Sequence, residues 1–105
     1  MKPFIDITGA SGSVYRFKGI SGPGRLPATA GNFVFTRTGP TGDEVICCGK
    51  ASSLVLAEPA WRSAVEQHQT TEIYVRLNVS HGVRDGEHDD IVAHQKPILV
   101  IADRG

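Results

Sequence analysis

Two apolar runs, "NFVFTR" at residues 32–37 and "VICCG" at residues 45–49, are separated by the turn formers "TGPTGDE". Short runs rich in β-branched and aromatic residues, split by Gly and Pro, read as antiparallel strands joined by a hairpin loop. That pairing puts a sheet in the middle of the chain, and every other segment must pack against it. With 105 residues the chain has room for one domain, 1–105, and little for a second. Its 12 glycines and 6 prolines imply many turns around a modest core.

The flanking segments read as follows. "PFIDITGASGSVYRFKGI" is a second hairpin at the N-terminus, about residues 1–20, turning over Gly9 to Ser13. "SGPGRLPATAG" is loop. From Ala51 to Gln69 the pattern becomes helical, with Ser52 or Ser53 as N-cap and Pro59 splitting it in two. The second piece places Trp61, Ala64, Val65 and His68 on one face. "TEIYVRLN" alternates, with Ile73, Val75 and Leu77 on one side and Tyr74, Arg76 and Asn78 on the other. Ser80 caps a last helix, His81 to Gln95, which Pro97 closes before the apolar tail "ILVIA". This order predicts an α+β domain with a mainly antiparallel sheet.

The formal net charge is zero, so nucleic-acid binding would need a local basic patch. No apolar run approaches the roughly 18 residues of a membrane span. Asp6 interrupts the start too early for a secretory signal. The only cysteines, Cys47 and Cys48, are neighbours, and a bridge between them would be strained. Both read as reduced thiols, and the expected location is the cytoplasm.

Each residue that bears chemistry has a plainer reading beside it. A Cys47 or Cys48 nucleophile needs a histidine base, and nothing places His68, His81, His88 or His94 near either thiol. Small buried strand residues explain the pair better. Neighbouring cysteines on a strand point to opposite faces and do not easily share a zinc ion, and no second cysteine pair exists. His81, Asp85 and His88 share a helical face that would suit a metal, but a solvated face is the better explanation. "GASG" and "SGPG" lack the strand, helix and lysine of a phosphate loop. In the last helix Val83, Glu87, Ile91 and His94 form one stripe, which should face the sheet with a carboxylate at its middle. A buried Glu87 requires a partner, a metal or a water-filled cleft; a surface pairing with Arg84 is the alternative.

The order of these pieces resembles the GIY-YIG nuclease superfamily. "GNFVF" (Gly31 to Phe35) resembles the first motif strand and "CCG" (Cys47 to Gly49) the second. "KASSLVLAEPAW" resembles the segment that follows, "IYVRLN" the third strand, and "RDGEHDDIVAHQKP" the final helix. The resemblance implies a small three-stranded, mainly antiparallel sheet flanked by helices over residues 31–99, with the N-terminal hairpin as an extension. It implies hydrolysis of DNA phosphodiesters with a divalent cation, Mg²⁺ or Mn²⁺, held by Glu87. The tyrosines and arginine that would complete such a site are replaced by Phe33, Cys47 and Ala57, and the terminal asparagine by Leu99. By strand alternation Cys48 should join Ile46 on the core face, leaving Cys47 with Val45 where the family has a catalytic tyrosine.

Loss of one acid–base or electrostatic group typically costs about two to four decades in rate. The expectation is therefore a catalytically inactive module that binds a protein, a second copy of itself, or nucleic acid through Lys50, Arg76 and Arg84. The alternative is an active metal-dependent nuclease, in which Arg62 would stand in for the missing arginine.

Overall fold

The hairpin at the centre of the chain forms as its residues dictate, and its strands run further than the apolar pattern. In the computed structural model, which describes residues 2–101, β3 spans Gly31–Gly39 and β4 spans Gly42–Ala51. Gly42 takes the positive φ of 122° that this tight connection requires. The other elements are β1 (Phe4–Thr8), β2 (Val14–Ile20), α1 (Glu58–His68), β5 (Glu72–Leu77), α2 (His81–Gln95) and β6 (Leu99–Ile101). Short 3₁₀ turns cover Pro23–Arg25 and Leu54–Ala57.

The sheet has six strands in the order β1-β2-β5-β3-β4-β6. All neighbours are antiparallel except β4 and β6, which are parallel. This corrects the expected three-stranded sheet with a separate hairpin. Lys18, Gly19 and Ile20 of β2 pair with Val75, Tyr74 and Ile73 of β5, so the N-terminal hairpin is built into the sheet. The tail after Pro97 adds the last strand by pairing Leu99, Val100 and Ile101 with Cys47, Cys48 and Gly49. One register row crosses all six strands: Phe4, Lys18, Val75, Phe33, Gly49 and Ile101.

Both faces of the sheet are covered. On one, called here the outer face, Phe33, Phe35, Cys47, Ile73 and Val75 pack under Leu54, Ala57 and Ala64. Phe35 stacks on Phe33 and meets Trp61 edge-on, each pair with centroids 5.1 Å apart. Full burial of side chains such as Phe35 and Leu54 stabilises by roughly 1.5–3 kcal/mol each. On the inner face Ile7, Phe17, Val34, Cys48 and Tyr74 surround Ile91 of α2. Helix α2 contacts β1, β3 and β4, strands from both halves of the sheet, so the sheet curls around it. A Lys2–Asp43 ion pair at 3.5 Å ties the start of β1 to the β3–β4 hairpin.

Helix α2 begins at Ser80, whose hydroxyl accepts from the Val83 amide, and ends at Lys96 in the left-handed conformation before Pro97. Its buried residues are Arg84, His88 and Ile91, whereas Val83 is half exposed and His94 is exposed. The expected stripe through Val83, Glu87, Ile91 and His94 is therefore rotated toward Arg84 and His88. Polar side chains dock much of this helix, so hydrophobic spacing alone misses its buried face. On α1 the inward residues are Ala60, Trp61 and Ala64; Val65, expected among them, is 41% exposed.

Candidate functional site

Asn32 and its row neighbours Lys50 and Arg76 bring polar groups to the inner face beneath α2. The strands approach closely here: a side chain at Gly31 would run into the Arg76 carbonyl. Glu87 descends from α2 into this row. Its Oε1 accepts from Arg76 Nε at 2.8 Å and from Asn78 Nδ2 at 3.0 Å. Asn78 Nδ2 also donates to Asn32 Oδ1 at 3.0 Å, and Asn32 Nδ2 donates to the Arg84 carbonyl at 3.1 Å. The Arg84 guanidinium, on a residue only 4% exposed, donates to the carbonyls of Asn78 and Val79. Arg76 also lies over the Tyr15 ring at 5.5 Å.

The next turn of α2 continues the pattern. Lys50 Nζ bonds Asp85 Oδ1 at 2.9 Å, and His81 lies 3.4 Å from the other oxygen. The Lys50 hydrogen bond, aided by charge from His81, holds the Asp85 carboxyl below its usual range. His88, 5% exposed, bonds the Gly49 backbone; burial and then the Lys50 charge push its pKa down, which favours neutral imidazole. Further along, Asp90 takes the Ser11 hydroxyl at 2.6 Å, the Ser11 amide at 2.8 Å and the Tyr15 hydroxyl at 2.7 Å.

Phe33, Cys47 and Ala57 gather on the outer face, away from Glu87. Phe33 and Ala57, with Leu56, Ala60 and Ile101, line an apolar pocket of about 520 Å³, and Cys47 lies in the same core cluster. The Phe33 ring lies against Gly49, where any β-carbon would collide with it. Leu99 packs against the same cluster. Arg62 is bound to Glu58 at 2.7 Å with its side chain 75% exposed, and it does not line this pocket. The sheet thus stands between the group expected to bind metal and the positions where the resemblance looks for water activation. Among the basic candidates, Lys50, Arg76 and Arg84 are all engaged within the inner-face network.

The residues around Glu87 do not fit a divalent cation. A guanidinium and an amide already donate to one of its oxygens, and no group of three His, Cys, Asp or Glu with metal-binding geometry occurs among the described residues. The thiols offer no nucleophile. Burial pushes both Cys47 and Cys48 up to about 12, with the neighbouring Cys48 adding to the shift at Cys47.

A second concave surface lies on the outer face over β1, β2 and β5. It is a groove of about 360 Å³ lined by Phe4, Arg16, Lys18, Arg25, Pro27 and Leu77, among others. Arg16 and Lys18 project from alternate positions of β2, and the loop around the first 3₁₀ turn carries Arg25 alongside. The alternation Arg16, Lys18, Ile20 was visible in the sequence, but only the β2–β5 pairing makes it the floor of a groove. No protein family, curated protein or solved structure matches this chain.

Proposed function

We propose that this protein is a catalytically inactive binding module, whose partner is a macromolecule recognised through its surface. The observation that carries this reading is the division made by the sheet. Glu87 is tied to Arg76 and Asn78 on the inner face, while Phe33, Cys47 and Ala57 are packed into apolar surroundings on the outer face. Phosphodiester hydrolysis needs an activated water, a charge stabiliser and a metal or cation on one reacting centre. On the GIY-YIG resemblance, the motif positions serve packing here: a ring over a glycine, a buried thiol and a buried methyl group at the end of a 3₁₀ turn.

The test is incubation of purified protein at high concentration with supercoiled plasmid and branched DNA, in Mg²⁺ and in Mn²⁺. The expected result is no cleavage above background. Metal-dependent cleavage that disappears in a folded Glu87→Gln variant would establish the nuclease alternative and end this reading. Partner capture by a tagged, intact protein, followed by repetition with purified components, is the complementary measurement.

A further inference from the structure

The groove on the outer face combines positive charge with exposed apolar surface. Arg16, Lys18 and Arg25 are all exposed, and the side chains of Lys18 and Arg25 make no hydrogen bond or ion pair among the described residues. Among the described residues, the one acidic neighbour engaged here is Asp6, 3.3 Å from Arg16, in a pair whose side chains are 68% and 53% exposed. An ion pair so open to water holds its partners weakly and can be exchanged for a better one. Between the cations, Phe4 is 50% exposed and Leu77 61%, above the buried Val75.

From this we infer that the groove formed by β1, β2, β5 and the loop at Arg25 docks an acidic segment of a protein partner that also carries apolar side chains. The inference rests on the reading of the chain as a binding module. Carboxylates of the segment would meet Lys18 and Arg25 and compete with Asp6 for Arg16. Its apolar side chains would cover Phe4, Pro27 and Leu77 and take them out of water. Charge complementarity alone would also admit nucleic acid, but the apolar half of the groove decides against it. A single strand is held by aromatic side chains on which successive bases stack. Here, among the described residues, Phe4 is the sole aromatic lining the groove, and the Arg16 guanidinium already lies over its ring at 5.6 Å.

Fluorescence anisotropy at low salt tests this with three probes on the full chain: a labelled short peptide alternating glutamate and leucine, the same peptide with serine for leucine, and an oligothymidylate. The Glu-Leu peptide is expected to bind saturably and to weaken as salt is raised. The Lys18→Glu/Arg25→Glu variant should bind it about tenfold or more weakly, and the milder Lys18→Gln/Arg25→Gln variant should fall between. Replacing leucine by serine in the peptide should also weaken binding about tenfold. Circular dichroism confirms that each variant is folded, and Arg62→Gln, which removes a cation of α1 outside the groove, should bind like the parent. No peptide binding at low salt, binding indifferent to both groove variants, or an oligothymidylate that binds at least as tightly would overturn the inference. Metal-dependent DNA cleavage would overturn the non-catalytic reading separately, since it would act through Glu87 on the inner face.

Discussion

Arg76 on β5 and Glu87 on α2 form a 2.8 Å ion pair whose side chains are 32% and 16% exposed, and Asn78 donates to the same carboxylate oxygen at 3.0 Å. The pair fastens the last helix to the middle of the sheet. Breaking a fully buried pair costs about 3–5 kcal/mol, so a pair partly open to solvent should cost less. Arg76→Ala, which leaves Glu87 beneath the helix with only the amide, is expected to destabilise by about 1–3 kcal/mol. Glu87→Gln keeps an acceptor for Asn78 and should cost less. Urea denaturation of both single variants and the double variant gives the coupling energy. A coupling of about 1 kcal/mol or more is expected; a value near zero would mean the helix is held by packing alone.

On the opposite face, the Phe33 ring occupies the space where a Gly49 side chain would be. Gly49→Ala must push the ring or separate β3 from β4, and overpacking of this kind costs about 1–3 kcal/mol. Phe33→Leu alone loses buried ring area and also destabilises. The double variant should be more stable than the sum of the two losses, because the smaller side chain leaves room for the new methyl group. Strictly additive losses in thermal or urea melts would show that the glycine answers to something other than the ring.

Asp90 fastens the β1–β2 turn to α2 through Ser11 and Tyr15. Hydrogen bonds from Ser11 first, then Tyr15, hold its carboxyl below the ordinary value. A lowered folded value stabilises above the unfolded carboxylate value, near 3.9, and that contribution is lost as pH falls through the folded one. The turn at Gly9 to Ser13 should therefore loosen in acid before the rest of the sheet. Amide hydrogen exchange at Ser11 and Gly12 should accelerate, relative to strand β3, as pH drops below about 4. In Asp90→Asn the turn should already exchange faster at neutral pH, and the acid step should vanish. A step that survives the substitution would assign it to another carboxylate.

Much of the architecture was readable because it rests on local signals. The two hairpins, the Pro59 break, the Ser80 cap and the last helix at His81–Gln95 follow from turn formers, capping residues and periodicity. The sheet's true width was not, because it depends on pairings between distant segments: β2 with β5, and the three-residue β6 with β4. The partner of Glu87 was hidden for the same reason, since Arg76 reaches it across a strand–helix contact while the near-sequence choice, Arg84, bonds backbone carbonyls. Alternation failed in β4 at one place. Phe35 faces Cys47 and Thr36 faces Val45, so Ile46 is the extra residue of a bulge. Val45 and Cys48 therefore both pack on the inner cluster, and Cys47 on the outer one.

Past the bulge, ordinary alternation leaves each thiol in a different core, and their reactivity follows. Cys47 and Cys48 are 0% and 1% exposed, and burial pushes both up to about 12. At pH 8 the folded thiols stay protonated, whereas unfolded thiols near 8.5 are partly thiolate and react. Native protein should therefore resist a thiol-specific disulfide reagent under conditions in which urea-unfolded protein titrates 2 thiols per chain. Because the folded values are raised, stability from these groups is full below about 8.5 and declines as pH rises toward 12. Modification at pH 8 should be limited by opening of the sheet, so Gly49→Ala should accelerate it about tenfold for each ~1.4 kcal/mol of lost stability. Rapid labelling of either cysteine in the native protein, unchanged by Gly49→Ala, would contradict their placement in the two cores.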